Sequence, residues 1–590
     1  MNYYDDSKEW KYLFRNAIDW DQLIPLYHKE FPTSDGIKDK EELIHIYEEL
    51  LSTIADWAGS SVAERAKDLD LQGAGIVKDG RTINGELLNK FYAEAKNLGI
   101  FGTHIGSEYG GLNLPAVIAT MTYVFVSRAC ISSSTQLSFF VTMADMIERF
   151  CDEDLKKKFI PKIINGEISG AMCLTESDAG SDIGSIKTTA TKRQDGRYLL
   201  NGSKCFITNG GGGLGFVLAR IKDAPQGLQG ISLFFVEQEI TNDKGESILN
   251  YRVTKNEEKI GLHGSFTCEI VYENSVARLV GEENKGLQIM FYLMNEARLG
   301  VGLQSLGGME ASVHLMREYA STRVQFSKIL IELPLYKKIL EDLEIECSAY
   351  RAFLVDTMWI YDVFQKLDMK KRVPTNSLTE DEEKLFNNVS KVIRKRTPLV
   401  KYYGAEAFSA ISTKALQGFG GYGLMKDYPI ERIHRDSFAP LLYEGTSQIQ
   451  ALMALKDLIK NILKNPSLNF FKMISGDPIK KFKEKNPIRK KFLTIQSEFK
   501  SNLAKLVLYT LKPVSLNKIF DIKSWSDEKK IEILMTHAET ICQSLSYLET
   551  LKVLATHAEK DFSRENLFNG YCKIIIPRLA YIYSSWKMCN

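Results

Sequence analysis

The sequence contains no C-x-x-C pair, no H-E-x-x-H, no G-x-S-x-G and no run of 18 uninterrupted apolar residues. Its nine cysteines, at 130, 151, 173, 205, 268, 347, 542, 572 and 589, are odd in number and scattered. That pattern points to reduced thiols in a reducing compartment and away from a disulfide frame or a zinc-thiolate site. The eight histidines are equally dispersed; none forms an HxxxH pair, and His263 and His434 read as surface or satisfied core residues. The missing serine elbow removes the common α/β-hydrolase layout. Without a long apolar run no transmembrane helix is expected. The opening MNYYDDSKEWKYLF lacks both the basic and the apolar region of a secretory signal. Charge of one sign is also absent: 76 Lys and Arg face 74 Asp and Glu, a net +2. Nothing in that balance calls for nucleic acid or an anionic membrane as a partner.

What is present is a globular composition, 44% hydrophobic and 25% charged, over 590 residues. That length exceeds one hydrophobic core and predicts about two to four domains. Residues 1–44 are polar and aromatic with no long period, and read as an N-terminal extension. From Glu41 to Ala66 apolar residues fall at helical spacing (Leu43, Ile46, Leu50, Leu51, Ile54). Leu87 to Leu98 repeats the pattern, Ser107 to Asn113 is a glycine-bearing turn, and Pro115 to Glu148 reads as a buried helix or helix pair. Near Gly170 the character changes. Thr188–Lys192, Tyr198–Thr208, Gly215–Arg220, Ile231–Glu237 and Thr267–Tyr272 read as strands, with a hairpin at Asp195-Gly196 and a second turn at Asn201-Gly202. Helices return at Gly286, through Leu287, Met290, Phe291, Met294 and Ala297, then Leu335, Ile339, Leu343 and Ile345. Lys370 to Lys384 reads as a solvated excursion between two helices. Beyond 464, Leu534, Ala538, Ile541, Leu545, Leu548 and Leu551 form an amphipathic stripe. The expectation is an α+β, mostly α chain: 1–44, a helical domain 45–170, a small β domain 171–284, helices 285–464 and a further helical segment 465–590.

Two segments match G-x-G-x-x-G, at Gly210-Gly212-Gly215 and Gly418-Gly420-Gly423. A dinucleotide fingerprint needs a strand before it and a helix after it. The first runs into a strand and the second follows a helix, so a Rossmann reading fails on context. Two other runs carry chemistry. Cys173 to Asp182 (CLTESDAGSD) sits at the helical-to-β transition, where hydroxyls and backbone N–H groups can hold a flat polar ligand. Taken alone it reads equally as a polar domain junction with cap residues. In Tyr443 to Gln450 (YEGTSQIQ) a carboxylate stands between Leu441-Leu442 and a glycine. Buried beside a substrate, Glu444 is a proton acceptor, with Gly445 allowing close backbone approach and Thr446 capping the next helix. An isolated glutamate before a helix is also an ordinary solvated cap.

The ordered set CLTESDAGSD, Phe206-Ile207-Thr208-Asn209-Gly210, Arg323-Val324-Gln325-Phe326, Gln417 to Gly423 (QGFGGYG) and YEGTSQIQ resembles the acyl-CoA dehydrogenase family of flavoenzymes, over about residues 45 to 460. The resemblance implies an all-helical domain, a β domain and a four-helix-bundle-like domain. It implies FAD as cofactor, an acyl-CoA substrate, electron-transfer flavoprotein as acceptor, and a homodimer or dimer of dimers in the cytoplasm. It makes Glu444 the base that removes the pro-R α-proton. Met172, Leu174 and Thr175 then line the flavin, Phe206 stacks near its ring and Thr208 lies near N5. Arg323, Gln325 and Phe326, with Gln417, Gly420 and Gly421, hold the FAD pyrophosphate and adenosine across a dimer interface. Thr446 and Gln448 touch FAD beside the base. Ser181, Asn295 and Arg298, with Tyr443 and Gly445, meet the acyl-CoA. Some relatives carry their base just before the arginine equivalent to Arg298. Here that position is Ala297, and Glu296, one residue off, points about 100° away on a helix. Three positions depart from the family pattern: Ser177 for a proline, Phe206 for a tryptophan and Ser327 for a glycine.

Residues 465–590 resemble the helical extension of the larger members, such as very-long-chain and methylthiopropionoyl-CoA-type enzymes. Their basic run, Lys480, Lys481, Lys483, Lys485, Arg489, Lys490 and Lys491, reads first as a solvated linker or helix face. Peripheral membrane contact is a second reading. A third is DNA binding, by resemblance to a DNA-damage-response branch of the family. Acyl-CoA oxidase shares the base and flavin. The YEGTSQIQ run and the absence of an SKL-like end favour the dehydrogenase.

Overall fold

Apolar spacing becomes helix where the pattern is long, and in one place where it is short. The computed structural model describes residues 1–33, 36–242, 244–372, 377–464, 481–511 and 528–588. It divides into two compact units: residues 1–8, 20–311 and 424–439, and residues 9–19, 312–423 and 440–590.

In the first unit, α1 (Lys40–Trp57) is capped by Asp39, whose side chain accepts from the Glu42 N–H. The apolar stretch after Pro115 is a helix pair, α2 (Ala116–Ala129) and α3 (Ile131–Phe150). They are separated by one extended residue, Cys130, at φ −156°. The β domain follows: β1 (Ser169–Cys173), β2 (Thr189–Lys192), β3 (Tyr198–Thr208), β4 (Gly213–Ile221), β5 (Ile231–Glu237), β6 (Arg252–Asn256) and β7 (Thr267–Val280). Strands β3, β2, β4, β5 and β7 pair in that order, and β7 returns to β3, so the ring closes. Closure leaves β6 and β1 on the outside, β6 antiparallel to β7 and β1 parallel to β4. Leu200, Phe216, Leu218, Phe234 and Ile270 are buried. Both G-x-G-x-x-G matches keep the context that rules out a dinucleotide fold. The first leads into β4, and the second follows a helix without starting one.

Two expectations need correction here. The hairpin at Asp195-Gly196 forms, with Gly196 at φ +80°, but there is no turn at Asn201-Gly202. Strand β3 runs straight through it, pairing Asn201 with Glu273 and Gly202 with Tyr272. The glycine serves a close approach instead: a Cβ on Gly202 would lie 2.8 Å from the Thr188 Cα. The second correction concerns residues 1–44. Trp10, Leu13 and Phe14 are buried on one face of a helix at Lys8–Asn16, a period too short to register in a longer window.

The second unit is helical. The long helix α4 (Gly286–Thr322) enters it at residue 312. It continues with α5 (Pro334–Arg372), α6 (Glu380–Gly418), α7 (Ser447–Lys464), α8 (Pro487–Leu511), α9 (Ala538–Lys560) and α10 (Glu565–Met588). Thr379 and Glu382 form a reciprocal capping box at the start of α6. The excursion expected over 370–384 is shorter, since α5 reaches Arg372 and α6 starts at Glu380; residues 373–376 lie outside those described. The expected α5 stripe also shifts. Leu335 is exposed, and Leu340, Leu343, Cys347 and Tyr350 are the buried positions. No helix among the described residues is long and apolar enough to cross a membrane.

The extension packs onto the second unit. Leu455, Leu458, Ile459 and Ile462 of α7 meet Leu503, Val507, Leu534 and Ile541, leaving a void of only about 10 Å³, no more than one water needs. Arg578 of α10 forks onto the buried Glu346 carboxylate of α5 at 2.6 and 2.9 Å. The Tyr403 hydroxyl adds a 3.3 Å bond to the same carboxylate. Removing the cation from a buried pair leaves an uncompensated charge. Arg578→Met is therefore expected to cost this unit about 2–4 kcal/mol. Urea unfolding followed at tryptophan emission, to which Trp586 on α10 contributes, reads this; an unchanged midpoint contradicts it.

Candidate active site

The chemistry-bearing runs fall into local constellations, each inside one unit. In the first unit, β1 carries Met172 and ends at Cys173, and the chain turns outward through Leu174 and Thr175. A buried glutamate fixes that turn. Glu176 accepts from the backbone N–H of Lys187 (2.6 Å) and Thr188 (3.1 Å), the Thr188 hydroxyl (2.6 Å) and the Lys204 ammonium (2.7 Å). Burial alone would push the Glu176 carboxyl up. The Lys204 charge beside it and these hydrogen bonds hold it below the usual carboxylate range. Burial lowers the Lys204 ammonium, against the pull of Glu176.

Lys204 also donates to the Leu174 carbonyl at 2.8 Å, and the Cys205 N–H donates to the Thr175 carbonyl at 3.0 Å. Both carbonyls are thus turned inward. The backbone N–H groups of Leu174 and Thr175 meet no acceptor among the described residues. They stand with the half-buried Thr175 beside Phe206, which is 63% exposed at φ +58°. Thr208 follows on the same strand, and Asn209 ties the strand end to β1 through the Ser169 hydroxyl (2.9 Å) and the Gly170 carbonyl (2.8 Å). N–H donors, a hydroxyl and an exposed aromatic face suit a flat heteroaromatic ring with a polar edge. Ser181 lies exposed on the loop that follows.

Also in the first unit, Arg298 of α4 is 2% exposed and donates to the Asn295 side chain at 2.8 Å. Glu296 does not share their role. Its Oε2 is enclosed without a hydrogen-bond partner. Burial, reinforced by the Asp145 charge and only partly offset by Arg149, holds its carboxyl well above the usual range. Its place one residue before Ala297 keeps it off the face that Arg298 and Asn295 share.

In the second unit, Val324-Gln325 and Lys328-Ile329 form a two-stranded hairpin whose tip is Phe326 and Ser327, at φ +52° and +59°. Phe326 is 87% exposed. The Arg323 guanidinium lies over the Tyr422 ring at 5.5 Å, joining the hairpin to the glycine turn. Gln417, Gly420 and Gly421 are exposed there, and a Cβ on either glycine would meet nothing within 4 Å. Open backbone beside a guanidinium suits a diphosphate. The last constellation is the turn from the helix Ala439–Leu442 into α7. Glu444 is half-buried at φ +57° and Gly445 follows at +89°. Gln450 Nε2 donates to both of their carbonyls, at 3.0 and 3.1 Å. Thr446 Oγ1 accepts from the Ile449 N–H at 3.4 Å. Ser447 Oγ and Gln450 Oε1 are buried without a hydrogen-bond partner. Gln448 donates to Glu539 of the extension at 3.0 Å.

Glu176, Lys204 and Asn209 were missed in the sequence, although one signal was available. Lys204 shares the inward parity of Tyr198 and Leu200 on a strand, and a buried lysine demands an acid. The tip geometry also explains one departure. A left-handed position suits the glycine the family usually has, and Ser327 holds it at a cost. Ser327→Gly is expected to raise stability by about 0.5–1 kcal/mol, measured by thermal unfolding. A loss of stability would mean the serine makes a compensating contact.

Comparison with known proteins identifies the family. Three domain models match in chain order: "Acyl-CoA dehydrogenase, N-terminal domain" over residues 47–167, "middle domain" over 171–275 and "C-terminal domain" over 284–459. An acyl-CoA dehydrogenase of Bacillus subtilis is 33% identical over 365 residues, 61% of this chain and 87% of that protein. An acryloyl-CoA reductase (NADH) of Anaerotignum propionicum is 31% identical over 376 residues, 62% of this chain and 86% of that protein. The structure of an acyl-CoA dehydrogenase complexed with FAD from Bacillus anthracis, at 22% identity, shares the fold with a TM-score of 0.75. It covers 98% of this chain, extension included, and 92% of its own. With matching family models spanning most of its length, this chain belongs to the acyl-CoA dehydrogenase family of oxidoreductases.

Proposed function

We propose that the chain carries out FAD-dependent α,β-dehydrogenation of an acyl-CoA thioester to the trans-2-enoyl-CoA, with Glu444 as the base. The observation that carries this reading is the Glu444 turn. A carboxylate is held in a left-handed backbone conformation, clamped from below by Gln450 and followed by a glycine. Non-glycine residues persist there only when the surroundings over-determine them, and such positions cluster at functional sites. Glu444 takes the α-proton, and its backbone N–H polarises the thioester carbonyl, stabilising the developing enolate. Bound FAD supplies the acceptor for the β-hydrogen.

The residues present fit that cofactor. The N–H groups of Leu174 and Thr175 and the Thr175 hydroxyl receive the polar edge of the flavin, beside Met172. Phe206 would cover the ring, and Thr208 would stand on the side of its reactive nitrogen. Arg323, Gln325 and Phe326, with Gln417, Gly420 and Gly421, take the diphosphate and adenosine. An 87% exposed phenylalanine at a hairpin tip suits a cofactor shared across a homodimer or dimer of dimers. Thr446 and Gln448 join them, while Ser181, Asn295, Arg298, Tyr443 and Gly445 receive the acyl-CoA. An electron-transfer flavoprotein in the cytoplasm is the electron acceptor this reading implies. The relatives named above, a dehydrogenase and a reductase, favour a carrier over oxygen as the partner.

The relatives do not favour the DNA reading, and part of its basic run is engaged within the extension. Lys480 lies outside the described residues. In the rest of the run, Arg489 pairs with Glu559 at 3.2 Å and Lys491 donates to Asn569 at 2.7 Å, both within the extension.

Two variants test the reading. Lys204→Met leaves Glu176 buried without its cation and is expected to cost the first unit about 3–5 kcal/mol, and to loosen FAD retention on gel filtration. Full retention with unchanged unfolding would remove Glu176 and Lys204 from the flavin support. Glu444→Gln is expected to keep the yellow cofactor and lose roughly 10³-fold in anaerobic flavin bleaching by acyl-CoA. Bleaching at the wild-type rate would move the base elsewhere.

A further inference from the structure

A cleft in the second unit, remote in sequence from every motif above, is built jointly by the dehydrogenase helices and the extension. It lies among α5, α6 and α9 and has a volume of about 410 Å³, within the range of small-molecule sites. Ile360, Val392 and Val553 give it apolar walls. Arg396 is only 4% exposed. Its Nη1 donates to Asp356 at 2.6 Å and its Nε to Glu549 at 3.2 Å, while Nη2 has no partner among the described residues. Lys395 closes on Glu549 at 2.5 Å.

We propose that this cleft binds a small phosphomonoester carrying an apolar group. The charge count selects the anion. Asp356 and Glu549 are consumed by Arg396 and Lys395. The exposed Lys391 and Lys552 also line the cleft and make no ion pair among the described residues, so two positive charges stand in excess. A phosphomonoester carries close to two negative charges at neutral pH, and a carboxylate only one. The field is already felt inside the cleft. Burial would raise the Glu549 carboxyl, yet Lys395, Arg396 and Lys552 bring it down to about 2. A buried guanidinium with an open N–H edge is the directional element that solvated surface lysines lack. The apolar walls ask for a ligand larger than inorganic phosphate.

Phenyl phosphate is a suitable probe, titrated calorimetrically into the full-length, FAD-loaded protein with coenzyme A at saturation. Coenzyme A fills the substrate site, and the titration is repeated without it because its own phosphomonoester also competes for this cleft. The expected result is saturable binding that weakens roughly tenfold in a Lys391→Gln/Lys552→Gln double variant, the effect of removing two charge-assisted contacts at an open cleft. Both lysines are exposed, so the variant keeps its fold, which circular dichroism verifies. Benzoate should bind more weakly than phenyl phosphate. No saturable heat, or equal affinity in the double variant, overturns the proposal. Neither outcome bears on Glu444, whose test is flavin bleaching.

Discussion

The Lys204–Glu176 pair is the interaction on which the proposed flavin side of the site depends. Both side chains are buried, 0% and 7% exposed, so each would be costly alone. Together they meet most of each other's demand. Glu176 gathers four donors, and Lys204 spends a second proton on the Leu174 carbonyl. The consequence reaches beyond stability. A trans peptide points its carbonyl and the next residue's N–H in opposite directions, so anchoring the Leu174 carbonyl inward turns the Thr175 N–H outward, where it meets no acceptor among the described residues. An apolar side chain in place of Lys204 would leave the Leu174 carbonyl without this donor. The ion pair specifies an orientation that hydrophobic packing does not.

The same logic, in backbone terms, governs the turn that carries Glu444. Two consecutive residues at positive φ would not persist on their own, and only the second is glycine. Gln450 supplies the compensation by donating one amide group to both carbonyls. It sits one helical turn into α7, so the strain is held by the first turn of a helix whose apolar face is locked into the extension. A carboxylate mounted this way has little freedom to drift from its aim, which is what a proton acceptor acting on a weakly acidic carbon requires.

Long-period features were legible in the sequence: the helical beginning, the β domain near Gly170, the return to helix at Gly286 and the amphipathic stripe beyond Leu534. Each rests on hydrophobic spacing repeated over many residues. The misses depend on contacts the local pattern does not show, or on periods too short to stand out. Gly202 looks like a turn because glycine after asparagine usually is one, and only the approach of Thr188 explains it within a strand. The helix Lys8–Asn16 is held partly by Arg564, 555 residues along, whose guanidinium forks onto Glu9. At the site, Glu444 and Thr175 were found by motif. Glu176 lies within the CLTESDAGSD run without being singled out there, and Lys204, outside every motif, becomes visible only when strand parity is read as a demand for a partner.

That long-range contact also bears on what the extension is. A basic run and a stripe of leucines invite the picture of an appendage that reaches for nucleic acid or membrane. The charges point the other way. Arg578 is drawn onto Glu346, Arg489 onto Glu559 and Arg564 onto Glu9, so residues from both ends of the chain and from the dehydrogenase helices share one set of ion pairs. Glu346 is buried, and without Arg578 it would be a carboxylate in a low-dielectric core with only a phenol to satisfy it. A dehydrogenase lacking this extension would need a different residue at position 346. The sequence of α5 is already written for the helices that follow it, which makes the extension a component of the second unit's core, not an attachment to it.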